Sequence, residues 1–251
     1  MRPYIIVLFL IVSIISCNND TPLLDSEPEP ELDSCEFYAT GFYNDTLPGK
    51  IPHKFWPCMS TEDLVEAGSY NFPSIIMLTG TSSLQQGYDL CRKKYSWFVE
   101  LEGRTDAVGY LIAKYVSIDT VNYNMELDPY HFGGYKYYTY CLETFLAQEA
   151  YLKHITDEQR LTLLDELFIK QEVRKGDIGW FAIEGPTFAM SRVMYFYGYQ
   201  PLLDSMEQSI LIKNLVEYGN LFINVEDGAK AQSSIFNLTT EFINELKTKS
   251  E

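Results

Sequence analysis

Thr156-Asp157-Glu158-Gln159-Arg160-Leu161-Thr162-Leu163-Leu164-Asp165-Glu166-Leu167-Phe168 decides the fold class of this chain. Thr156 and Gln159 stand three apart ahead of an apolar pattern, the spacing of a capping box. The hydroxyl and the amide can each satisfy a backbone N–H that the first helical turn leaves without a partner. Leu161, Leu164, Leu167 and Phe168 then recur at helical spacing and form the expected buried stripe. Lys170, Arg174 and Lys175 suit the negative end of that helix, and Gly176 stops it.

The same grammar extends in both directions. Upstream, a helix is predicted from Tyr135 to Ile155 with Cys141, Leu142, Phe145, Leu146 and Leu152 inward. Leu84, Tyr88, Cys91, Tyr95 and Phe98 recur at spacings of four and three, and Gly103 ends that helix. Ser60 is an N-cap ahead of Glu62 and Asp63, Gly68 closes the short helix they open, and another short element is expected near Phe72–Leu78. Thr105-Asp106 is read as the cap of a helix burying Val108, Leu111, Ile112 and Tyr115. Residues 119–134, with Asp128-Pro129 and Gly133-Gly134, read as loop. Downstream, Gly185-Pro186 opens a helix through Tyr197, and two more follow over 201–223 and 233–248, with Gly228 between them. No period-two alternation competes, so the expected fold is all-α.

Two hairpins look alike. Cys91 precedes Thr105-Asp106 by fourteen residues and Cys141 precedes Thr156-Asp157 by fifteen. A long helix, a tight turn and a second helix thus return after roughly fifty residues, near the period of helical-hairpin repeats. The expected architecture is stacked α-hairpins, of which a HEAT-like solenoid is one form, with an irregular N-terminal segment. Residues 35–251 are expected to form a single helical domain. Pro48, Gly49, Pro52 and Pro57 keep 35–59 irregular.

The N-terminus carries a different message. Met1-Arg2-Pro3 leads into an apolar run from Ile5 to Val12, too short for a permanent membrane span and laid out like an export signal. Ile14-Ile15-Ser16-Cys17 resembles the bacterial lipobox, which implies removal of 1–16 and acylation of Cys17. Residues 17–34 come next with acids, prolines and no basic residue, a composition that predicts a disordered tether. The chain holds 19 Lys and Arg against 35 Asp and Glu, a formal charge of −16, and loss of Arg2 would make it about −17. Such a surface repels nucleic acid and anionic headgroups, so the only membrane contact expected is through lipid on Cys17. Of the remaining cysteines, Cys91 and Cys141 lie in apolar stripes. Cys35 and Cys58 bracket irregular chain in a compartment that permits disulfides, and if any pair is bridged it is this one.

Chemistry-bearing motifs are absent: no nucleophile elbow, no phosphate loop, no dinucleotide turn, no H-E-x-x-H and no C-x-x-C. No cofactor or metal is indicated. His53, His131 and His154 are scattered without a second imidazole at helical spacing, and His154 suits a helix C-terminus. Glu100/Glu102, Glu126/Asp128 and Asp177/Glu184 are nominal carboxylate pairs, but close acid pairs arise by chance in so acidic a chain. The unusual composition is aromatic, with 19 Tyr and 15 Phe. Tyr130, Tyr135 and Tyr137 surround Gly133-Gly134 as a candidate ligand or partner rim, and Tyr195-Phe196-Tyr197-Gly198-Tyr199 forms a second cluster. Helical proteins also bury tyrosines as ordinary core.

The lipobox, the acidic tether and the tyrosine-rich helical body together resemble the uncharacterised lipoproteins abundant in Bacteroidota. Phe98-Val99-Glu100-Leu101-Glu102-Gly103-Arg104-Thr105-Asp106-Ala107 and Leu142-Glu143-Thr144-Phe145-Leu146-Ala147-Gln148-Glu149 are similar to a recurring pattern of their helical-repeat domains. The resemblance implies a lipid-anchored protein of the cell envelope, at the outer membrane, facing the periplasm or the cell surface. It assigns no active residue. The leading expectation is a non-enzymatic protein-binding scaffold with a partner in the envelope. Glycan or small-ligand binding through the loop tyrosines is the alternative, and a hydrolase with a non-local active site comes last.

Overall fold

The computed structural model describes Cys35 and residues 53–71, 81–118, 129–174, 184–219 and 225–250. The chain divides at Asp33/Ser34 into two units, and every described residue belongs to the second. After a short 3-10 turn at His53–Cys58 come α1 (Thr61–Asn71), α2 (Leu84–Lys94), α3 (Ser96–Glu102), α4 (Ala107–Ser117), α5 (Pro129–Leu146) and α6 (Glu149–Leu152). Then come α7 (Asp157–Arg174), α8 (Glu184–Phe196), α9 (Gln200–Gln208), α10 (Ile210–Tyr218) and α11 (Val225–Ser250). The fold is all-α, and the described residues include no strand.

Local signals act where they were expected. Thr156 N–H donates to Gln159 Oε1 at 3.0 Å and Gln159 N–H donates to Thr156 Oγ1 at 3.2 Å, a reciprocal capping box. Ser60 Oγ accepts from Asp63 N–H at 3.0 Å. Boundaries that depend on packing differ from the sequence reading. Tyr95 takes an extended conformation and splits the expected helix into α2 and α3. Both halves then turn apolar side chains inward: Leu84, Tyr88 and Cys91 from one, Trp97, Phe98 and Leu101 from the other. The helix expected over Tyr135–Ile155 begins at Pro129 instead and ends at Leu146, before the separate turn of α6. Proline suits the first turn of a helix, where no intrahelical N–H is required. Gly133-Gly134 is therefore helix, not loop. Gly228 likewise lies inside α11, and Ser209 divides α9 from α10 with its side chain accepting from Ile212 N–H.

Two series of contacts link the helices. One runs α1, α4, α7, α11; the other runs α2, α5, α8, α10 and closes on itself, because α2 also meets α10. Between neighbours the same step recurs. Thr61 Oγ1 donates to Asp106, Arg104 to the Met59 carbonyl, Arg192 to the Ala147 carbonyl, and Tyr197 to the Leu152 carbonyl, each across 45 positions. Asp106 thus makes no side-chain cap for α4, and its carboxylate instead accepts from Thr61 at the start of α1.

An aromatic junction ties α2, α3 and α5 together. Phe145 has the rings of Tyr88, Trp97 and Phe98 at 5.2, 5.5 and 4.9 Å between centroids. Such pairs add about 0.5–1.5 kcal/mol beyond the area they bury. α2, α8 and α10 meet at Gly219, whose φ of +63° caps α10. A Cβ there would lie 2.8 Å from Leu84 Cβ and 3.1 Å from Phe188 Cδ2. Gly219→Val therefore combines left-handed backbone strain with overpacking against α2 and α8. It should lower unfolding free energy by about 2 kcal/mol or more, read as a reduced urea midpoint with unchanged slope.

Candidate functional site

From Gly185 to Met194 every residue of α8 is buried except Arg192. Thr187 and Ser191 spend their hydroxyls internally, on Gln171 Oε1 at 3.1 Å and the Phe188 carbonyl at 2.8 Å. Arg192 opens into a cleft of about 460 Å³ lined also by Glu149, Leu152, Tyr195, Phe196 and Leu203. Its Nε donates to the Ala147 carbonyl at 3.1 Å, and its guanidinium carbon stands 6.0 Å from the Tyr195 ring centre. Neither Nη group has a hydrogen-bond partner among the described residues. Burial pulls the Arg192 pKa below its usual value, with Glu149 the largest opposing influence. An arginine remains a cation at any physiological pH even so. The cleft therefore offers a fixed positive fork beside aromatic and aliphatic walls.

Deeper in, Tyr115 donates to Glu143 Oε1 at 2.8 Å, and Lys170 Nζ sits 4.7 Å above the Tyr115 ring while bonding Glu166 at 2.8 Å. Glu143 and Lys170 are 0% and 1% exposed. Gly185 admits the carboxylate, since a Cβ there would fall 2.1 Å from Glu143 Oε2. This layer brings α4, α5, α7 and α8 together around hydrogen-bonded polar groups, the condition under which their burial is tolerated. Lys170 is accordingly a core residue, not the surface charge at a helix end that the sequence suggested.

Tyr130, Tyr135 and Tyr137 fall in the first turns of α5; Tyr130, expected in the loop over 119–134, is helical instead, and the side chains of all three lie outside the described ones. The same holds for the side chains of His53, His131 and Glu184, while Cys17, Glu126, Asp128 and Asp177 lie outside the described residues altogether. Glu100 and Glu102 do not face a common cleft. Glu100 pairs with Arg104 at 3.0 Å, and Glu102 accepts from Tyr88 at 2.8 Å and from Arg92 at 2.7 Å. The second aromatic cluster divides by role. Tyr195 and Phe196 line the cleft, the Tyr197 ring carries Arg160 at 4.1 Å, and Tyr199 packs on Phe242 at 4.8 Å. A disulfide joins Cys35 to Cys58. Among the described residues no group of His, Cys, Asp and Glu could hold a metal ion, and no helix is long and apolar enough to cross a membrane.

Sequence reasoning missed Arg192. The available signal was isolation, because no other Lys or Arg occurs between Lys175 and Lys213. No protein-family model, curated protein or solved structure matches this chain.

Cys91 and Cys141 are buried free thiols. Burial pushes Cys91 up to about 11 and Cys141 further in the same direction. A raised thiol pKa means that the unfolded chain releases its proton first, so the contribution to stability is complete below the unfolded value of 9.0 and is lost as pH climbs toward about 11. The raised Tyr199, pushed up to about 12 chiefly by burial, acts in the same sense above its unfolded value of 10.0. Native protein at pH 8 should leave both thiols unreactive to an aromatic disulfide reagent, urea should expose them, and the urea midpoint should fall from pH 9 upward. Rapid reaction of either thiol in the native state would contradict their burial.

Proposed function

We propose that this chain is a lipoprotein of the bacterial cell envelope, anchored at the outer membrane through Cys17, whose body is a non-enzymatic protein-binding scaffold. The observation that carries the scaffold reading is the set of hydrogen bonds that link packed elements across 45 positions, at the start of α1 and again beside α8. Helical hairpins that stack on their neighbours build broad surfaces, which suits protein recognition better than a single small-molecule site. The stack of α-hairpins is part of this proposal, including its kinship to HEAT-type architecture. Ile14-Ile15-Ser16-Cys17 supports the anchor, and the acidic run after it suits a spacer between lipid and body.

Two experiments test the two parts separately. Cys17→Ala should abolish incorporation of labelled palmitate and release the protein from the membrane fraction, and continued labelling would overturn the anchor. Crosslinking the tagged full chain in living cells of its source bacterium should retain one abundant, reproducible protein absent from an untagged control. A body that retains nothing above that control is not a protein scaffold.

A further inference from the structure

Arg192 has features that packing alone does not require. It is the single position between Gly185 and Met194 of a central helix that is not buried, and it carries the only cation for many residues on either side. The bond from Nε to the Ala147 carbonyl tethers the guanidinium of a side chain that lines the cleft, and leaves both Nη groups without a partner among the described residues. A guanidinium held in this way is preorganised for two parallel hydrogen bonds to a carboxylate.

Glu149 lines the same cleft and lies close enough to act on Arg192 electrostatically, yet no ion pair joins the two among the described residues. One fixed cation and one anion that do not neutralise each other are the complement of a zwitterion. Asp89 and Glu217 also act on Arg192 from neighbouring helices, so a dianion such as phosphate meets repulsion that a single carboxylate largely escapes. Leu152 and Phe196 supply apolar wall, and Tyr195, 43% exposed, supplies a ring face at the rim. A volume of about 460 Å³ lies within the range of small-ligand sites.

We propose that the Arg192 cleft binds a small zwitterion of the amino-acid or short-peptide class. The ligand's carboxylate lies on the Arg192 fork, its ammonium toward Glu149 and its apolar side chain against Tyr195 and Phe196. This site does not depend on the scaffold reading, and either can fail alone.

The test is calorimetric titration of the full chain in detergent with leucyl-phenylalanine, its N-acetyl and C-amide derivatives, free phenylalanine and inorganic phosphate. The free dipeptide should bind saturably, and amidation or Arg192→Gln should each weaken it at least about tenfold, the worth of a charge-assisted hydrogen bond. Tyr195→Ala, at an exposed position where folding is not at stake, should weaken it severalfold. Glu149→Gln should weaken the free dipeptide while leaving the N-acetyl form unchanged, a difference that a general loss of structure cannot produce. Binding of phenylalanine as tight as the dipeptide assigns the site to free amino acids, and tighter dipeptide binding assigns it to peptides; both support the proposal. Equal affinity for acid and amide, preference for phosphate, or no saturable binding of the dipeptide up to millimolar concentration would overturn it.

Discussion

Burial of α8 on nearly every side is the constraint on which the rest of the body depends. A helix in that position can present no unsatisfied polar group, so Thr187 and Ser191 turn their hydroxyls to Gln171 and to the helix's own backbone. It needs small residues where neighbours come closest, and Gly185 and Ala189 meet that need. Its neighbours must in turn surround it: α5 and α7 from the preceding chain, α10 and α11 from the succeeding chain. The closure of α2 onto α10, with Gly219 wedged against Leu84 and Phe188, completes that enclosure.

Charge is distributed under a second constraint, scarcity of cations. With 19 basic against 35 acidic side chains, the excess acid has to remain solvated while the cations are available for assignment. Several are assigned tightly. Arg104 binds the carbonyls of Trp56 and Met59 together with Glu100, Arg92 holds Glu102 beside Tyr88, and Lys170 is sealed between Glu166 and the Tyr115 ring. Exposed pairs such as Lys230–Glu226 contribute little by comparison. Arg192 differs from these cations because its one hydrogen bond among the described residues goes to a backbone carbonyl, and no carboxylate pairs with it. That difference, more than the cleft's size, singles it out.

Features written locally are legible in the sequence. The Thr156–Gln159 box, the Ser60 cap and the stripes through Leu142, Phe145, Leu164 and Leu167 involve residues within one or two turns of each other. Sequence and structure part where a residue's partner lies far along the chain. Asp106 has the spacing of a cap, but Thr61 claims its carboxylate; Lys170 has the place of a helix-end charge, but the Tyr115 ring covers it. Gly133-Gly134 gives the stretch that holds Tyr130 the look of a loop, although the proline before it begins a helix that absorbs both glycines. Glycine in a helix costs only about 1 kcal/mol, which tertiary packing readily outweighs.

The sequence by itself determined that this body is helical, where its cap-marked helices begin and which faces of them are apolar, because those properties depend on backbone hydrogen bonding and a 3.6-residue period. Tertiary structure alone decided which helix lies at the centre, which charges are interior and which aromatic side chains border Arg192. Those outcomes depend on contacts between residues some 45 positions apart, and no local pattern encodes which of many compatible apolar faces will meet.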